Sequence, residues 1–252
     1  MPEESNSCCV IVGAGPGLGM NIARRFAHGG FDIALISRNQ KNLENLSESL
    51  RLEGFSARGF VADAAIEEKL ESAFDQIKEW NANIGILIYN AAAMIPDDVV
   101  ELSASVLSQS LALNLGGAIF SVNQALPSMK AQGGGTILIT GGGLGLEPYP
   151  NWASLSAGKA ALRSYAISLH KALTNENIHV AVIAVCGIVE PGSQFDPNRI
   201  AEEYWQLHAE PKSNWRRELV FLPPGADPFY NDSKGVYRST SLPINGTNDS
   251  SN

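Results

Sequence analysis

"CCVIVGAGPGLG", residues 8–19, decides how this chain folds. Five apolar residues, "CCVIV" at 8–12, run without a polar break into "GAGPGLG" at 13–19, and a helical pattern follows near 16–29. An unbroken apolar strand has both faces covered, as in a parallel sheet. A glycine-rich turn from strand to helix lets a phosphate approach the backbone at the positive end of the helix. The spacing G-x-G-x-x-G would need glycine at 18, where Leu18 stands. G-x-x-x-G-x-G fits instead, with Gly13, Gly17 and Gly19, and with Gly15 inside the loop. A tight turn without a ligand is the plain alternative; four glycines in seven residues at such a junction weigh against it.

The same alternation continues along the chain. Strands are predicted at 8–12, 32–37, 57–62, 84–90, 135–140, 179–185 and, more weakly, 217–221, with helices near 16–29, 40–53, 65–80, 101–131 and 153–175. Apolar strands alternating with helices predict a single doubly wound α/β domain of Rossmann type over residues 1–222, with helices on both faces of a parallel sheet. Ligands of such sheets bind at the carboxyl ends of the strands. Residues 223–252 are rich in Pro, Gly, Ser and Asn and have no period, so they are not expected to fold by themselves. The glycosylation-type triplets at Asn245 and Asn248 are read as chance occurrences.

Composition narrows the function. A net charge of −8 argues against a nucleic-acid surface. No run of 18 apolar residues occurs, so no membrane span is expected. The opening "MPEESNSCCV" is acidic and polar, unlike a secretory signal. Cys8, Cys9 and Cys186 are expected to be buried free thiols, which fits a reducing, cytoplasmic setting. No Cys/His pair has ligand spacing, so no metal site is expected.

The end of the second strand, "ISRN", indicates which dinucleotide would bind. An acidic residue there would take a ribose hydroxyl. Ser37 and Arg38 stand there instead and suit a 2′-phosphate, so NADP(H) is favoured over NAD(H). Asp63, after the third strand, is placed near the adenine, and "YNAA" at 89–92 puts Asn90 and Ala91 along the cofactor. An asparagine that only caps a strand end is the plain alternative for Asn90.

Together these residues resemble the short-chain dehydrogenase/reductase family over residues 8 to about 222. "GAGPGLG" stands for the family's T-G-x-x-x-G-x-G, "YNAA" for N-N-A-G, Asn114 in "LALNLGG" for the helix-4 asparagine, and Lys159 in "LSAGK" for Y-x-x-x-K. The resemblance implies a seven-stranded sheet of order 3-2-1-4-5-6-7, a homodimer or homotetramer, and hydride exchange between a nicotinamide and a small carbonyl or alcohol. It implies that Lys159 holds the nicotinamide ribose and that Asn114 supports a proton-relay water.

The chain departs from the family's pattern at the reacting centre. Leu155 stands where the family has its acid, a tyrosine; Gly142, or Gly141 if the register slips by one, stands where it has a serine. Cys186-Gly187 replaces the Pro-Gly after the sixth strand, and Pro191-Gly192 comes later. A positioned acid contributes about 10²–10⁴ in rate and one oxyanion donor about 10²–10³. Ordinary carbonyl reduction by the family route is therefore expected to be very slow. Several substitutes stay open: Tyr149 on the loop before the fifth helix, Ser154 or Ser156 on that helix, or direct proton exchange between Lys159 and a ribose hydroxyl; Tyr165, six residues past Lys159 on another helical face, reads as core. An iminium substrate would need less help, since it is already activated. Rival readings are a cofactor-binding protein without turnover and a non-redox isomerase or cyclase. In the 193–216 stretch, "DPNRIAEEYWQLH" predicts a capped amphipathic helix, with Asp196 at its start, Pro197 at its first position, Ile200 and Trp205 packed inward, and His208 solvated or capping.

Overall fold

The computed structural model describes residues 6–226. Beyond residue 226 the predicted tail lies outside the described residues, as do its two asparagine triplets. Seven strands, β1 (Cys8–Val12), β2 (Asp32–Ser37), β3 (Ala57–Val61), β4 (Ile84–Tyr89), β5 (Gly135–Thr140), β6 (Ile178–Val185) and β7 (Glu218–Phe221), form one sheet in the order 3-2-1-4-5-6-7. Every pairing is parallel.

β1 lies at the centre, fully buried along its length. Its side chains alternate between two cores. Cys8, Val10 and Val12 face the layer of α3 (Glu67–Trp80), α5 (Gly117–Ala131) and α6 (Ala153–Leu173), with Phe74, Val122 and Leu162. Cys9 and Ile11 face α1 (Leu18–His28), α2 (Gln40–Leu52) and α7 (Pro197–His208), with Phe26, Leu50 and Tyr204. Each fully buried Ile, Leu or Phe contributes about 1.5–3 kcal/mol. Both faces therefore need side chains, which is why β1 reads as continuously apolar rather than alternating.

The predicted helix at 101–131 is one rod with a flaw in it. α4 (Ala104–Leu111) passes through a π-helical turn at Ala112–Gly116 into α5. The Leu113 carbonyl in that turn accepts a hydrogen bond from the Tyr89 hydroxyl at the end of β4. Among the described residues this rod, 104–131, is the one helix long and apolar enough to cross a membrane by length and composition. Its seat is the helical layer over the sheet, where Ala118, Val122, Ala125 and Met129 enter the core.

α7 begins as its sequence predicts: the Asp196 carboxylate accepts from the Asn198 N–H at 2.8 Å, with Pro197 in the first turn. Ile200 is fully buried, and the Arg25 guanidinium lies 4.1 Å from the centre of the Trp205 ring. His208 is neither solvated nor capping. Its Nδ1 lies 2.9 Å from Thr136 Oγ1 at the start of β5, and its ring packs against Phe26, Phe31 and Trp205. That is the end of β5 opposite the cleft described below, so His208 does not face it. Desolvation, and then the nearby His179, pull its pKa from 6.5 to about 4. His179 is lowered as well, chiefly by burial. Both rings are held neutral, while the unfolded chain takes up protons from about pH 6.5 downward, so stability falls as pH drops through that range. The thermal midpoint is expected to fall by several degrees between pH 6.5 and 4. His208→Asn is expected to flatten that acid arm; an arm as steep as the parent's would show that His208 does not carry it.

Candidate active site

A cleft of about 550 Å³ opens along the carboxyl ends of β1 to β6. The sheet order lays its lining out as a line. At the β3–β2 side stand Ser37, Arg38 and Asp63. In the middle are Gly13, Ala14, Leu18, Asn90 and Ala91. At the β5–β6 side stand Gly141 to Leu144, Leu155, Lys159, Val185 and Gly187 to Val189. The lining is polar at one end and almost wholly apolar at the other.

Gly13 is the hinge of the middle section. Its φ is +89°, and a Cβ there would lie 2.4 Å from the Ala91 nitrogen. Its N–H and that of Ala14 both donate to the Ile36 carbonyl, at 2.9 and 3.0 Å. Its own carbonyl accepts from Asn90 Nδ2 at 2.9 Å. Gly19 packs α1 close to the turn, where a Cβ would meet Ala14 Cα at 3.1 Å. Gly15 and Gly17 are different: a Cβ at either meets nothing within 4 Å. That space over the start of α1 is what a phosphate would fill.

Arg38 is 69% exposed and lies 3.9 Å from an Asp63 oxygen, too long for a firm pair. Asp63 is turned by accepting from the Ala65 N–H at 3.0 Å. The guanidinium is thus held loosely at the rim and is available to an anion.

At the other end Lys159 is 6% exposed, and its Nζ donates to the Thr140 carbonyl at 2.7 Å. Burial pulls its pKa down to about 8. Leu155, 2% exposed, and Gly142 both line the cleft beside it. Gly142 has extended backbone (φ 176°), and a Cβ there would meet nothing closer than the Val185 carbonyl oxygen at 3.9 Å. Gly187 is covered by Phe195, whose ring a Cβ would approach to 2.3 Å. Burial raises the Cys186 thiol to about 11, so it stays protonated. Among the described residues no cluster of metal-ligating side chains occurs.

Gly15, Gly17, Gly19 and the remaining predicted residues sit outside the lining. Asn114, in the π-helical turn, is fully buried. Its Nδ2 donates to the Ser110 carbonyl at 3.0 Å, and its Oδ1 has no partner. Leu113, one residue earlier, does line the cleft. Tyr149 is half-buried before α6, its N–H donating to Ser156 Oγ at 3.3 Å. Ser154 is buried, and its N–H donates to the Asp97 carboxylate at 3.1 Å, which caps a helix whose own N-cap residue, Trp152, supplies no side-chain bond. Tyr165 packs against the core, where burial lifts its pKa to about 12. Thr140, Met94 and Ile188 belong to the lining without having been singled out in the sequence. The available signal was their position, Thr140 at the end of β5 and Met94 and Ile188 a few residues past β4 and β6.

Fold and cleft together define a doubly wound α/β protein of the dinucleotide-binding class. The chain belongs to the short chain dehydrogenase family, whose model matches residues 7–198. It is 28% identical over 179 residues to an oxidoreductase, asL5, of Sarocladium schorii, a match covering 71% of each chain. It is 26% identical over 181 residues to the mouse dehydrogenase/reductase SDR family member 4, covering 71% of this chain and 65% of that one. The L-sorbose reductase of Gluconobacter frateurii, solved with NADPH and L-sorbose, superposes with a TM-score of 0.79 at 21% identity, over 88% of this chain and 97% of that one.

Proposed function

We propose that the chain is an NADP(H)-dependent oxidoreductase that moves a hydride to or from a small organic carbonyl, alcohol or imine without the usual tyrosine acid. The observation that carries the cofactor preference is Arg38, an exposed cation beside Ser37 at the adenine end of the cleft with only a long contact to Asp63. In this reading Gly13 to Gly19 receive the pyrophosphate, Asp63 the adenine, Asn90 and Ala91 the backbone of the cofactor, and Lys159 the nicotinamide ribose. The same fold holds NADPH in the Gluconobacter sorbose reductase. The bound cofactor would supply or accept the hydride, and the residues named above would orient it.

The β5–β6 end supports a substrate with an apolar body. Its lining includes Leu144, Leu155, Val185, Ile188 and Val189, and Lys159 is its one ionisable group among the described residues. Among the described residues that end offers no ring of hydroxyl partners to a polyol. Fluorescence titration with NADPH and NADH tests the cofactor half. NADPH is expected to bind at least tenfold more tightly, and Arg38→Gln to remove most of that difference, since a hydrogen bond to a charged group is worth about 1.5–3 kcal/mol. Equal binding of both cofactors by the parent would overturn the 2′-phosphate reading.

A second reading has a specific observation behind it. Leu155 and Gly142 leave the apolar end with no hydroxyl at either position, and the one ionisable side chain among the described lining residues there, Lys159, is already bonded to the Thr140 carbonyl. A protein that binds NADPH and does not oxidise it would look the same. The two differ in whether bound NADPH is consumed when ketones, aldehydes and preformed iminium ions are offered.

A further inference from the structure

A hydrogen-bonded chain runs beneath the cleft from α7 to the glycine turn. The Tyr204 hydroxyl lies 2.7 Å from Thr140 Oγ1. Thr140 Oγ1 lies 2.9 Å from Asn90 Oδ1, and Asn90 Nδ2 lies 2.9 Å from the Gly13 carbonyl oxygen. Chemistry fixes the direction of each bond. The Gly13 carbonyl can only accept, so the Asn90 amide must turn its nitrogen to it and its oxygen to Thr140. That oxygen can only accept, so Thr140 gives its single hydroxyl hydrogen to Asn90. Tyr204 is therefore the donor to Thr140. Thr140 also offers its backbone carbonyl to Lys159 Nζ at 2.7 Å. Groups at the ends of β1, β4 and β5 and on α6 are thus tied to one phenol on α7.

The phenol itself needs an explanation. Tyr204 is fully buried among Ile11, Ile22, Phe26 and Ile200. A phenylalanine would fill nearly the same volume with nothing polar to satisfy, and a hydroxyl buried without a partner is costly. What the hydroxyl adds to this apolar core is a fixed donor aimed at the strand end under the cleft.

We propose that Tyr204 is a positioning residue for the cofactor: through Thr140 and Asn90 its hydroxyl fixes the Gly13 carbonyl, and with it the turn that receives the phosphates, while holding the strand end that anchors Lys159. This rests on the reading of the cleft as a nicotinamide dinucleotide site. The chain is oriented throughout, so each bond polarises the next and loss of the first donor is felt at the last acceptor.

The test is a double-mutant cycle read by NADPH titration, with thermal midpoints measured in parallel. Tyr204→Phe is expected to weaken NADPH binding about three- to tenfold, the effect of one such bond. Thr140→Val should weaken it at least as much, the double variant no more than Thr140→Val alone, and Thr140→Ser, which keeps the hydroxyl, should bind as the parent does. A hydroxyl that serves packing alone would lower the midpoint and leave the dissociation constant of the folded protein untouched. An unchanged constant in Tyr204→Phe, or additive losses in the double variant, would overturn the proposal. Amide exchange in the ligand-free protein gives a readout independent of binding. Exchange across residues 12–19 should be faster in Tyr204→Phe than in the parent; equal exchange overturns the proposal. A parent that binds neither NADPH nor NADH would sink the dinucleotide reading of the cleft, and the exchange data would still decide whether Tyr204 holds the turn.

Discussion

If Leu155 and Gly142 hold the places of an acid and an oxyanion donor, as proposed, Leu155→Tyr together with Gly142→Ser is expected to raise the rate of ketone reduction by about 10²–10⁴, the contribution of a positioned general acid. The geometry allows both changes. Leu155 precedes Lys159 by four residues on α6, so the two side chains share a helix face, and both line the cleft. A tyrosine at 155 would put its hydroxyl in reach of the Lys159 ammonium, whose charge favours the phenolate. Gly142 has extended backbone, and an added Cβ would lie 3.9 Å from the Val185 carbonyl oxygen, so the backbone leaves room for the Cβ of a serine. Leu155→Phe is the control: it adds the ring without the hydroxyl and should gain nothing. The parent should reduce a preformed iminium ion faster than the matching ketone, because the iminium needs no proton, and the double variant should narrow that gap. If NADPH binds and the double variant still reduces no ketone, the missing acid is not what limits this site. The loop at Cys186-Gly187, where Phe195 covers Gly187, would then be the place to look.

The division between what the sequence revealed and what it did not follows the range of each interaction. β1 and the glycine turn were legible because their signals are local: a covered strand must be apolar, and a turn with φ near +89° must be glycine. The sheet order came from the family resemblance and holds in the structure. The start of α7 was legible from Asp196 and Pro197, two adjacent residues. Elsewhere the deciding partner is far along the chain. Thr140 and Tyr204 are 64 residues apart, and nothing near Tyr204 marks its hydroxyl as aimed at a strand end rather than at solvent. A histidine that ends a helix reads as solvated or capping, but Thr136, 72 residues earlier, holds His208 inside. The π-helical turn at Ala112–Gly116 keeps the helical period closely enough that residues 101–131 read as one helix. A group outside the segment, the Tyr89 hydroxyl, donates to the Leu113 carbonyl within that turn. The cap that Asp97 gives α6 likewise crosses 57 residues.

The four glycines of the turn should divide into two kinds, and the division tests whether a phosphate belongs there. Gly13→Ala is expected to damage the fold itself. Its Cβ would lie 2.4 Å from the Ala91 nitrogen, 2.5 Å from Ala91 Cα and 2.7 Å from the Asn90 carbonyl carbon, all backbone atoms that cannot swing aside. A φ of +89° adds strain for any residue with a Cβ. Overpacking of this kind costs about 1–3 kcal/mol and the backbone strain about 1–2 more. The thermal midpoint should fall by about 5–15 °C. NADPH binding should be lost with it, because relieving the clash means parting the ends of β1 and β4 and breaking the Asn90 bond to the Gly13 carbonyl. Gly15→Ala/Gly17→Ala should do the reverse. Neither added Cβ meets anything within 4 Å, so the fold should survive nearly unchanged. If a pyrophosphate lies over the turn, the methyl groups occupy its place, and NADPH affinity should drop by about tenfold or more, the worth of a single charge-assisted bond. The two midpoints and the two affinities therefore separate a turn that only joins a strand to a helix from one that also receives a ligand. Unchanged affinity in the Gly15/Gly17 double variant would mean that the open space above them holds no phosphate, and Arg38 would then have no 2′-phosphate to meet.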